Sequence, residues 1–108
     1  GFLVTLSLDT QFFLKVLYQE YLERIKNGFP EENAREFKLN FIECDLCLTQ
    51  FPLHDARTYR DELIKYEFAE IISITGNFRI NSNAISYIEQ QKLSFLKRLL
   101  SFFHSKNI

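Results

Sequence analysis

The sequence predicts a single, mainly helical α+β domain with one β-hairpin and a long C-terminal helix. Three observations lead there. Large apolar residues recur at helical spacing through most of the chain. Between Ile71 and Ile80 that spacing gives way to β-rich runs around Thr75-Gly76-Asn77, and beyond Asn81 it returns and continues to the end. At 108 residues the chain has the size of one domain, so one core is expected.

The first helix is expected from about Asp9 to Asn27. Leu14, Leu17, Tyr18, Tyr21 and Ile25 recur at helical spacing there, and Phe13, Val16 and Leu22 widen the stripe. Ser7 or Asp9 can cap its first amides, and Asn27-Gly28 followed by Pro30 ends it. Pro30 then suits a first helical position, with Glu31 and Glu32 against the positive end of the dipole. A short second helix is expected from Pro30 to Phe37, with Ala34 and Phe37 inward. Asn40 followed by Glu43 has the form of a capping box and opens a third short helix through Leu48, closed by Phe51-Pro52.

From Leu53 to Lys65, Ala56, Tyr59 and Leu63 form an apolar edge, while His54, Arg57, Thr58, Arg60, Asp61 and Lys65 stay polar. This is the fourth helix, with one solvent face. Ile71, Ile72 and Ile74 before the turn and Phe78-Arg79-Ile80 after it make the hairpin. Asn81 or Ser82 can cap the last helix, in which Ile85, Ile88, Phe95, Leu96, Leu99, Phe102 and Phe103 form one stripe interrupted at Lys92. That helix is expected to run unbroken to about His104.

Composition narrows the functional classes. Hydrophobic residues make up 46% and charged residues 25%, the balance of a chain that folds around a core. Twelve Phe and five Tyr are a large aromatic share for this length, and part of that surface is read as facing a partner. The net charge of −1 offers no global attraction to nucleic acid. It is unevenly spread, with eight Lys or Arg against thirteen Asp or Glu in residues 1 to 70 (net −5), and five against one in residues 71 to 108 (net +4). An anionic partner should therefore meet the C-terminal third. No run of about 18 apolar residues suggests a membrane span, and no signal-peptide pattern opens the chain, so a cytoplasmic location is the default expectation. Gly1 suggests a processed or engineered start and is left out of the fold argument.

Three segments carry a resemblance. Tyr59-Arg60-Asp61-Glu62-Leu63-Ile64-Lys65-Tyr66-Glu67-Phe68-Ala69-Glu70-Ile71-Ile72 resembles the end of a winged-helix recognition helix and its exit into the first wing strand. Ile80-Asn81-Ser82-Asn83-Ala84-Ile85-Ser86-Tyr87-Ile88 is similar to the strand-to-helix junction of many bacterial winged-helix proteins, with Asn81 in the place of a Thr and Ala84 in that of a Gly. Phe12 to Asn27, with its run from Tyr18 to Arg24, is similar to the first helix of small uncharacterised winged-helix proteins of Gram-positive bacteria. Together they cover about half the chain. The resemblance implies a winged helix-turn-helix fold with the hairpin as wing, and it contains no catalytic signature. At Tyr66-Glu67-Phe68 most relatives have a Gly, so a wider turn is expected here.

Cys44 and Cys47 form a C-x-x-C, but the chain has no second pair, and His54 and His104 are its two histidines. Inward or half-buried thiols are therefore expected rather than a metal or redox centre. With three glycines and no nucleophile–base or phosphate-loop pattern, neither catalysis nor a cofactor is expected, and Glu31-Glu32 reads as dipole-matched surface charge.

Two functional readings follow. In the first, a homodimer binds double-stranded DNA with the fourth helix in the major groove and the hairpin tip, Gly76 to Arg79, near the backbone. Arg57, Thr58 and Arg60 then read or position, and Lys65 and Arg79 meet phosphates. With Asp55, Asp61 and Glu62 opposing them, one subunit neutralises about three or four phosphates. In the second reading, a protein-interaction or scaffold domain keeps this shape and assembles through Phe95, Leu96, Leu99, Phe102 and Phe103 without binding DNA. Alternatively the same stripe folds back on the first helix as core. Lys92, Lys97, Arg98 and Lys106 flanking these aromatics also permit an anionic membrane surface, the less expected partner.

Overall fold

The computed structural model describes residues 5 to 106. Helix α1 (Leu8–Lys26) is followed by one helical turn, α2 (Glu31–Ala34), strand β1 (Glu36–Phe37), a single 3-10 turn (Leu46–Leu48), helix α3 (Leu53–Lys65), strands β2 (Ala69–Ile71) and β3 (Phe78–Ile80), and helix α4 (Ser82–Lys106). The strands form an antiparallel sheet in the order β1-β3-β2.

The core lies between this sheet and α1 and α3. Phe13, Leu14 and Leu17 of α1, Leu63 of α3, Phe37 of β1 and Phe78 and Ile80 of β3 are all buried. Phe13 is its hub, with ring centroids at 5.2 Å from Phe51, 5.6 Å from Tyr59 and 6.2 Å from Phe78. Edge-on and offset ring pairs at such separations add attraction beyond the area they bury.

Helix α1 starts as expected, with the Ser7 hydroxyl accepting from the Thr10 N–H at 3.2 Å. Its first turn is also tied to α3. Glu62 accepts the Ser7 N–H at 3.0 Å, the Ser7 hydroxyl at 2.9 Å and the buried Thr10 hydroxyl. Burial pushes the Glu62 carboxyl up, but these hydrogen bonds from Thr10 and Ser7 together outweigh it and hold the group below its ordinary value. A carboxyl depressed in the folded state contributes stability above its unfolded pKa of about 4.3, and loses that contribution as pH falls through the lower folded value. Glu62→Gln is therefore expected to lower the unfolding midpoint at neutral pH and to flatten its decline below about pH 4.3, as thermal scans across that range would record.

Of the expected helices, the second is shortened and the third is replaced. The second stops at Ala34, because the next residues pair with the hairpin: Glu36 lies opposite Arg79 and Phe37 opposite Phe78. Phe37 is inward as expected, but from a strand. The Asn40–Glu43 cap does not open a helix either. The Asn40 side-chain oxygen accepts from the Ile42 and Glu43 N–H groups at 2.9 and 2.7 Å, while the Asn40 backbone N–H donates to the Glu43 carbonyl at 3.0 Å. The chain thus doubles back, bridging Leu39 to Cys44. Asn77 fixes this loop to the hairpin, its side-chain oxygen accepting from the Leu39 N–H and the Asn40 amide. Local turn bonds of this kind compete directly with helix.

The exit from α3 is tight rather than wide. Phe68 N–H donates to Leu63 O at 2.8 Å and Glu67 N–H to Ile64 O at 3.0 Å, the paired bonds of a Schellman ending, with Glu67 at φ 62°. Glu67 thus adopts the left-handed conformation for which a Gly is suited, at a cost of about 1 kcal/mol. Glu67→Gly is expected to raise stability by about that amount, read as a higher denaturant midpoint at unchanged slope.

Candidate functional site

Two surfaces correspond to the two readings: the exposed face of α3 with the hairpin, and the C-terminal half of α4. On the first, Arg79 is central. Because β3 is the middle strand, Arg79 lies opposite Glu36 on one side and Glu70 on the other. Its guanidinium contacts Glu36 at 2.8 Å, Glu70 at 3.0 Å and Glu32 at 3.3 Å. The hydrogen bond to Glu36 is the main reason that the pKa of Arg79 is raised, and all three acids reinforce it. Arg79, expected on a phosphate, is held inside the protein's own carboxylates.

Arg60 is likewise engaged. It reaches from α3 to the hairpin, donating to the Gly76 carbonyl at 2.9 Å, and pairs with Asp61 at 3.0 Å. Gly76 has φ 104°, a conformation that suits glycine, and a Cβ there would come within 2.8 Å of the Arg60 guanidinium and displace it. Only 11% of the Arg60 side chain is exposed. The Thr58 hydroxyl donates to the His54 carbonyl at 3.1 Å, within its own helix. Arg57 lies over the Phe41 ring at 4.5 Å, and Lys65 near the Tyr66 ring at 5.3 Å. Of the five residues expected to meet DNA, Arg57 and Lys65 thus remain as cations outside the ion pairs described, although the Lys65 charge contributes to lowering the Glu62 pKa. Two phosphate contacts correspond to a log-log salt slope of about −2.

Sequence reasoning missed what lies beside this face. The loop between β1 and α3 exposes Phe41, Ile42 and Leu46, each more than 80% accessible. The signal was present as apolar residues at Phe41 and Ile42, but the helix expected there hid their exposure. Cys44 is exposed and Cys47 half-buried, both with free thiols, and burial is the main cause that pushes Cys47 up to about 12. Among the described residues no group of three or more His, Cys, Asp or Glu is placed to hold a metal ion. The side chain of His104 lies outside the described residues.

The second surface is built by α4 alone. Asn81 caps the helix, accepting the Ala84 N–H at 3.0 Å, and Ala84, Tyr87 and Ile88 are buried against the body. From Lys92 to Phe103 every residue is exposed. Within that stretch Leu93, Phe95, Leu96, Leu99, Leu100, Phe102 and Phe103 retain 37–69% of their accessible surface. The stripe is therefore not folded back on α1. Helical geometry places these seven side chains on about half of the circumference, with Ser94, Lys97, Arg98 and Ser101 opposite. Leu93 and Leu100 were not anticipated, although their spacing to Leu96 and Phe103 is itself helical. Extents of 58 × 31 × 25 Å reflect a helix extending well past the body.

Comparisons with known protein families, with curated proteins and with solved structures found no match. No helix among the described residues is long and apolar enough to cross a membrane.

Proposed function

We propose that this chain is a protein-interaction module of winged-helix type that assembles as a homodimer through the C-terminal half of α4, and does not act by binding DNA. The observation that carries this reading is the exposed apolar arc from Leu93 to Phe103. Contiguous apolar surface of this kind marks an interaction site. Each large side chain left in water forgoes about 1.5–3 kcal/mol of burial, and a pair of such helices has enough of them to offset an association cost of about 4–15 kcal/mol.

The winged-helix assignment is supported by the element order, in which α3 leads into the hairpin, and by β1 pairing with the second hairpin strand. DNA binding is disfavoured by two features. Arg60 and Arg79 are engaged internally, and where a helix-turn-helix has its first helix, this chain has a 3-10 turn beside exposed Phe41, Ile42 and Leu46.

Sedimentation of the unmodified chain at tens of micromolar, roughly where a modest interface persists, is expected to give a dimer. Duplex DNA at low salt is expected not to be retarded by it. A monomer that floats with anionic lipid vesicles would overturn the dimer in favour of a membrane surface. A steeply salt-dependent DNA shift, flattened in a variant carrying Arg57→Ala and Arg60→Ala, would restore the DNA-binding regulator.

A further inference from the structure

We propose that the two α4 helices pair antiparallel and that Lys92 sets this direction; the inference rests on the dimer reading above. Lys92, Phe95, Leu99 and Phe102 follow one another at spacings of three and four, the pattern of a two-helix seam. Upstream the same line passes through Ile85 and Ile88, which pack on this chain's own core. The seam open to a second copy therefore begins where α4 leaves the body, and its first residue is a lysine.

In a parallel pair identical seam positions face each other. The two Lys92 ammonium groups would meet inside the apolar seam, and α4 offers them one acid, Glu89, a turn back and already hydrogen-bonded by the Tyr18 hydroxyl at 3.0 Å. In an antiparallel pair the two kinds of seam position face one another. Lys92 then lies opposite the second copy's Phe102, and Phe95 opposite its Leu99. The lysine stem packs on a ring and the ammonium can lie over its face, which removes the like-charge opposition.

A cavity points the same way. Where α4 parts from α1, an open cleft of about 330 Å3 is lined by Lys15, Tyr18 and Gln19 on one side and Ile88, Gln91, Lys92 and Phe95 on the other. In the antiparallel register the second copy's Phe102 and Phe103 arrive at Lys92 and Gln91, at this opening. The incoming helix end then has two neighbours, α4 and α1. An apolar arc of about half the circumference is wider than a two-helix seam covers. A parallel pair would instead keep the second copy's Phe103 beside this chain's own Phe103, away from that opening.

Distances between spin labels test this. Cys44→Ser removes the exposed thiol, and Cys47, half-buried and protonated, stays unlabelled. In that background, single labels are placed through Ser86→Cys or Ser101→Cys, with sedimentation confirming the dimer. With the helices crossing at Lys97, the antiparallel pair separates the two Ser86 positions by about 33 Å and the two Ser101 positions by about 12 Å along the axis. A parallel pair brings both sets to about 8–10 Å plus the label lengths, and that result would overturn the proposed direction. A monomer would overturn the dimer itself. Lys92→Ile is expected to shift part of the Ser86 population to the short distance, since Ile at such a site suits parallel pairing. An unchanged long distance in that variant would remove Lys92 from its role.

Discussion

Phe13→Ala is expected to lower the unfolding free energy by about 3–5 kcal/mol, the range for deleting a large buried aromatic. The ring is fully buried, and it touches Phe51 ahead of α3, Tyr59 on α3 and Phe78 on the central strand. Alanine would leave a void bordered by three rings that are themselves fixed by other neighbours, so collapse is limited. Against a total of about 5–15 kcal/mol for a domain of ordinary stability, the variant is expected to unfold at a far lower denaturant midpoint. Phe13→Leu, which keeps most of the volume, should lose much less. Equal loss for both would mean that ring packing, rather than volume, holds the three elements together.

Leu99→Glu is expected to dissociate the dimer while leaving the body folded. Leu99 lies on the seam, well past the last buried residue of α4, and is 37% exposed in the single chain. A glutamate there costs the monomer little, but in the pair it brings two carboxylates into an apolar contact where neither finds a partner. A penalty of about 3–5 kcal/mol corresponds to a dissociation constant weaker by about 10²–10³-fold or more. Sedimentation should change from dimer to monomer, with the helical signal and the unfolding midpoint of the body nearly intact. If the midpoint falls and the mass does not change, Leu99 belongs to the core and the assembly reading fails.

What could be read from the sequence follows the range of the interactions involved. α3 matched its expected bounds, and α4 emerged as one long helix, because their spacing and caps are local signals. β1 escaped notice because two residues carry no period, and their state is decided by β3, more than 40 positions away. Asn40 shows the limit of a cap signal, since the same side-chain oxygen serves a helix start or a reversing loop, and Asn77 decides between them. The surroundings of the charged residues follow the same rule. Arg60 and Arg79 look available in sequence, and only the register of the sheet and the approach of Gly76 reveal that they are engaged.

Asn81 carries one more consequence. Its side-chain amide donates to the Glu67 carbonyl at 2.6 Å, its N–H to the Phe68 carbonyl at 3.0 Å, and its side-chain oxygen holds the first turn of α4. With the Phe68 and Tyr87 rings 5.1 Å apart beside it, α4 cannot swivel at its root without breaking the end of α3 as well. The projecting helix is in this respect a strut rather than a tether. Two bodies joined through such struts would stand at one separation and one mutual angle, so that anything bound by both would be measured against a fixed gauge.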